Sequence, residues 1–88
     1  MAVLMYESLI DFFDDYDMAD ALKTGKAQII HRVIKQPYQM YIASMGAMGY
    51  VLVFGKQDQK GQYTGRAWIA DEQKKLIPLL NNLLDTFR

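Results

Sequence analysis

Tyr50-Val51-Leu52-Val53-Phe54 is the stretch on which the fold turns. Five consecutive large apolar residues, aromatic at both ends and β-branched at two positions, suit a pleated strand. Side chains alternate along a strand, so Tyr50, Leu52 and Phe54 point to one side of a sheet while Val51 and Val53 point to the other. Both sides are apolar, and both therefore need something to cover them.

The sequence around this strand supplies its neighbours. Met45-Gly46-Ala47-Met48-Gly49 reads as a glycine turn, and Gln39 to Ser44 as the strand before it. Ala27 to Ile34 carries the β-branched residues Ile29, Ile30, Val33 and Ile34, and reads as a strand that Pro37 ends. Beyond Phe54, Gly55 to Gly61 is a polar hairpin loop, and Gln62 to Ile69 returns as a fourth strand. Sequential strands joined by short turns pair antiparallel.

Both ends of the chain read as helical. Within Met1 to Phe13, the residues Leu4, Leu9, Ile10 and Phe13 are spaced for one helical face, with Tyr6 at its edge. Asp14-Asp15 breaks that helix, and Asp17 can cap a second by accepting free backbone N–H groups. Gly25 suits its C-terminal stop, with Lys23 favourably placed in the last turn. At the other end, Asp71 can cap a helix whose apolar stripe is Leu76, Leu79, Leu80, Leu83, Leu84 and Phe87. Pro78 lies inside the stripe, where it removes a backbone donor, so it predicts a kink or two short helices.

The expected architecture is a single compact α+β domain spanning residues 1–88. It has a four-stranded antiparallel sheet, short N-terminal helices, and a C-terminal amphipathic helix kinked or broken at Pro78. With helices on one face only, the second apolar face calls for self-association, so a homodimer is expected. Met40, Met45, Met48, Tyr50, Val51 and Val53 are the candidate interface.

Composition fits this picture: 88 residues, 51% hydrophobic and 23% charged, too apolar for a disordered chain. The absence of cysteine excludes disulfides and thiolate metal sites, and suits a reducing, cytoplasmic setting. No cationic leader precedes the first apolar stretch, since the first basic residue is Lys23. The longest uncharged run, Gln36 to Gly55, is interrupted by Pro37, Gln39, Ser44, Gly46 and Gly49, which argues against a membrane span.

Charge is distributed unevenly. The first 20 residues carry Glu7, Asp11, Asp14, Asp15, Asp17 and Asp20 and no base. Residues 21–69 carry Lys23, Lys26, Arg32, Lys35, Lys56, Lys60 and Arg66 against Asp58 alone. These excesses are equal and opposite, which predicts that the acidic segment docks on the basic one.

Residue patterns for catalysis are weak, and neither an enzymatic role nor a cofactor is expected. His31 is the only histidine, and Ser44 lacks the glycine-flanked elbow of a serine nucleophile. The aspartates do not follow a calcium-loop spacing, so no metal site is expected. Gly46-Ala47-Met48-Gly49 lacks the bases and helical flanks of a loop that clamps nucleic-acid backbone. The leading expectation is a non-catalytic protein-binding module, regulatory or inhibitory, that self-associates and engages another protein. A second is a sheet that binds single-stranded nucleic acid. In it Arg32, Lys35, Lys56, Lys60 and Arg66 would contact phosphates, and Tyr38, Tyr41, Tyr63 and Trp68 would stack on bases. A third takes Asp11, Asp14, Asp15, Asp17 and Asp20 as an acidic surface that mimics phosphates or docks a basic partner.

Overall fold

The structure is a computed structural model and describes residues 3–86. Five strands form one antiparallel sheet, not the four predicted: β1 (Leu4–Tyr6), β2 (Gln28–Lys35), β3 (Tyr38–Ser44), β4 (Tyr50–Gln57) and β5 (Tyr63–Ala70). Their order across the sheet is β1-β5-β4-β3-β2. The extra strand is β1, which pairs with β5 in the register Leu4↔Ile69, Met5↔Trp68 and Tyr6↔Ala67. Leu4 therefore belongs to no helix, and the spacing that joined it to Leu9, Ile10 and Phe13 is coincidental. Ile10 is exposed, whereas Phe12 is fully buried.

The first helix is shorter than predicted. It is α1 (Leu9–Asp15), capped by Ser8, whose Oγ accepts from the Asp11 N–H. Helix α2 (Met18–Thr24) begins and ends where the sequence places it. The Asp17 carboxylate accepts from the Asp20 N–H at 3.0 Å, and Gly25 closes the helix at φ 82°, a conformation open to glycine. A helical turn at Gln73–Lys75 then leads into α3 (Ile77–Thr86). Pro78 sits in the first turn of α3, where its missing donor does no harm. Met1, Ala2 and Phe87 lie outside the described residues, as does that part of each predicted helix.

Helices pack on both faces of the sheet, not on one. Beneath α1 and α2, Leu9, Phe12 and Met18 meet Ala43, Val51, Val53 and Ala67. On the opposite face, Leu76 and Leu80 of the C-terminal segment meet Met40, Ile42, Leu52 and Ala70. The alternation read along Tyr50 to Phe54 holds, with Val51 and Val53 in the first cluster and Leu52 in the second. The second apolar face is thus covered within the chain, and the reason for expecting a dimer there is removed. No helix among the described residues is long and apolar enough to cross a membrane.

Candidate functional site

Where α1 and α2 lie over the sheet they leave an open cleft of about 420 Å³. Leu9, Phe13, Met18, Ala19, Leu22 and Val53 give it apolar walls, and Gln39, Tyr41, Tyr63 and Asp17 bring polar groups to it. Its floor is low at Gly55 on β4, which has no side chain and pairs in register with Gly65 on β5. A Cβ on Gly55 would stand 2.8 Å from Leu9 Cδ2, and one on Gly65 would meet the Phe54 carbonyl oxygen. Leu9 rests on the first glycine, and the rest of that space stays open because each seven-residue helix is too short to extend over it.

The roof is fixed to the sheet by aromatic packing. Phe12 has Tyr6 edge-on at 5.4 Å and Tyr16 at 5.2 Å between ring centroids. The Tyr6 hydroxyl donates to Asp15 Oδ2 at 2.8 Å. That hydrogen bond to a carboxylate is the main reason the Tyr6 hydroxyl is pushed up to about 12. Tyr41, half-buried in the cleft wall, is also pushed up to about 12, because burial disfavours its phenolate more than the nearby Arg32 guanidinium favours it. At neutral pH Tyr41 is therefore an uncharged hydroxyl in an apolar wall, able to donate or accept one directed hydrogen bond. Such a lining, mostly apolar with a few polar groups, is the usual composition of a binding pocket.

Of the aspartates singled out in the sequence, Asp17 lines this cleft and the others lie on the two helices above it. Asp11, Asp14 and Asp15 lie on α1, Asp17 caps α2 and lines the cleft, and Asp20 lies in the first turn of α2. All five are exposed. The expected electrostatic docking takes another form: α1 and α2 do lie on the sheet, but apolar side chains hold them there. Among the described residues, ion pairs join Lys74 and Lys75 to Asp71 and Glu72, and none reaches an N-terminal carboxylate. No group of three metal-ligating side chains gathers among the described residues.

The other sequence candidates are dispersed. Met40 and Val51 are wholly buried in the two cores and present no surface to a partner, while Val53, also buried in the core, reaches the cleft wall with its outer edge. Met45 and Tyr50 are half-buried, and only Met48 of that set is exposed, on the turn before β4. The basic and aromatic residues divide between the faces of the sheet. Register places Arg32, Tyr41 and Tyr63 on the α1–α2 side, and Lys35, Tyr38, Lys56, Arg66 and Trp68 on the other, while Lys60 lies in the β4–β5 loop. Tyr38 stacks on Phe54 at 5.2 Å, with Lys56 5.8 Å from the Tyr38 ring centroid, so its ring already has neighbours. Trp68 packs into the core beside α3. No single face carries the ladder of free rings on which successive bases would stack.

Sequence reasoning missed the cleft. Its floor depends on Gly55 lying beneath Leu9, a long-range contact that no local pattern states. Comparison of the chain with protein-family models, with curated proteins and with solved structures finds no match.

Proposed function

We propose that the protein is a non-catalytic protein-binding module whose site is the cleft under α1 and α2. Its partner segment places an apolar side chain between Leu9, Phe13, Leu22 and Val53 and carries lysine or arginine beside that anchor. The observation that carries this reading is an open apolar cleft lined by Asp17, under two helices whose aspartates form no ion pair with a base among the described residues. Apolar burial supplies affinity, and the negative charge of the two helices selects a basic flank and speeds encounter. Self-association is no part of the proposal, because the two sheet faces that suggested it are covered within the chain.

Ala19 provides a clean test, since it lines the cleft yet is exposed. Replacing it by tryptophan fills the mouth without entering the core. A fluorescein-labelled peptide of alternating lysine, leucine and phenylalanine should raise anisotropy on binding, with an affinity that falls as salt is added. The Ala19→Trp variant, folded by circular dichroism, should bind about tenfold or more weakly, the loss of one anchoring side chain. Equal binding by the variant and the parent protein would exclude the cleft as the site.

A further inference from the structure

The end of the sheet opposite β1 is formed by β2, and it is the least covered element of the sheet. β2 pairs with β3 alone, so one row of its backbone donors and acceptors faces outward. Ile29, Ile30 and Ile34 are exposed to 37%, 43% and 58%, unusual values for isoleucine in a strand. Proteins blunt such edges with bulges, prolines and charges. Here a bulge lies between Ile29 and His31 at one end, and the Gln36-Pro37 turn lies at the other. Between them His31 to Lys35 pairs with β3 in unbroken register and is open along its outer side.

We propose that this segment is a strand-addition site for an extended acidic segment of another protein. Charge identifies the occupant. His31, Arg32 and Lys35 give the edge three basic side chains and no acid, and among the described residues none of them is held in an ion pair. A second copy pairing β2 against β2 would crowd the Arg32 and Lys35 cations of both copies along one short ladder, which is unfavourable. An acidic strand neutralises them.

The alternation of faces sharpens the chemistry. Arg32 and Ile34 share one face of the sheet, and Val33 and Lys35 the other. Directly opposite residues of an added strand lie on the same face as their partners. The complementary segment therefore reads acid, apolar, apolar, acid, set against Lys35, Ile34, Val33 and Arg32 in antiparallel order. Main-chain hydrogen bonds supply affinity, and the alternate side chains supply selectivity. This site borders the cleft, since Arg32 and Ile34 pair with Tyr41 and Gln39 of its wall, but the ladder it offers runs along the outer side of β2.

The test uses two labelled peptides, Gly-Ser-Glu-Val-Val-Glu-Ser-Gly and its counterpart with lysine at both glutamate positions. The acidic peptide should raise anisotropy and slow amide exchange in residues 31–35, and the lysine peptide should do neither. Arg32→Glu, at an exposed position, should weaken the acidic peptide by about tenfold and improve binding of the lysine peptide. Ala19→Trp should leave the acidic peptide unaffected, which separates failure here from failure of the cleft. The proposal is overturned by equal binding of the two peptides, by no binding of the acidic one, by indifference to Arg32→Glu, or by unchanged exchange along β2. Sedimentation showing that the chain dimerises through this edge would also overturn it.

Discussion

The two faces of the sheet are covered in different ways. On the α3 side, leucines from the C-terminal segment fill the space over Met40, Ile42 and Leu52, and those three side chains are wholly buried. On the other side, two helices of seven residues are held by caps and by a cluster of rings around Phe12, and they leave Gly55 and its surroundings open. One face is packed for stability. The other gives up part of its packing and leaves an open cleft. The lesson is that an apolar sheet face can be covered without being filled, and that helix length and the floor glycine decide which.

The largest expected difference comes from truncating one leucine on each face. Leu52→Ala should destabilise the fold by about 2–5 kcal/mol in chemical denaturation, because a closed core cannot collapse around the lost methyl groups. Leu22→Ala, in the cleft wall, should cost markedly less, since its side chain is only half-buried and already borders open space. Equal losses would mean that the two faces are packed alike.

A smaller effect is expected at the cleft floor. Gly55→Ala places a methyl group 2.8 Å from Leu9 Cδ2 and 3.2 Å from the Thr64 carbonyl oxygen. The leucine must move toward the cleft, at a cost of about 1–3 kcal/mol, and the cleft should shrink. Thermal melting measures the first consequence, and binding of the lysine–leucine–phenylalanine peptide measures the second. A variant as stable as the parent would show that Leu9 has slack above the glycine.

The smallest effect is confined to alkaline solution. Tyr41 holds its proton more tightly in the fold, up to about 12, than in the unfolded chain, where tyrosine titrates near 10.0. Its contribution to stability is complete below pH 10.0 and is lost as pH rises toward about 12. Tyr6 acts in the same direction through its hydrogen bond to Asp15. Tyr41→Phe should therefore flatten, without abolishing, the fall of melting temperature above pH 10.0, while leaving the neutral-pH fold intact. An unchanged alkaline slope would place the Tyr41 hydroxyl in contact with water.

Elements set by local chemistry were legible in the sequence. Asp17 and Gly25 bound α2 because an acceptor and a residue free to adopt positive φ act within one helical turn. Strands β3, β4 and β5 follow from apolar runs between turn residues, and Pro78 marks the start of α3. The parts set by distant partners were not legible. β1 has three residues, and only its pairing with β5 makes it a strand. Whether α3 shares a face with α1 or takes the other depends on the path of the chain around the sheet. Of the candidate site, the aspartates of α1 and α2 could be read as a cluster, but the cleft that Asp17 lines could not.

Strand β1 also determines how the roof of the cleft is anchored. β1 meets β5 through three residue pairs, whereas β4 and β5 share eight. The three pairs join segments near opposite ends of the chain, so they close the longest loop in the sheet with its shortest ladder. Loop-closure entropy rises with length, and each pair returns only a fixed increment. Of the four ladders, this one has the least free energy in reserve. Helix α1 follows directly from it, so the roof of the cleft is joined to the sheet through its shortest ladder.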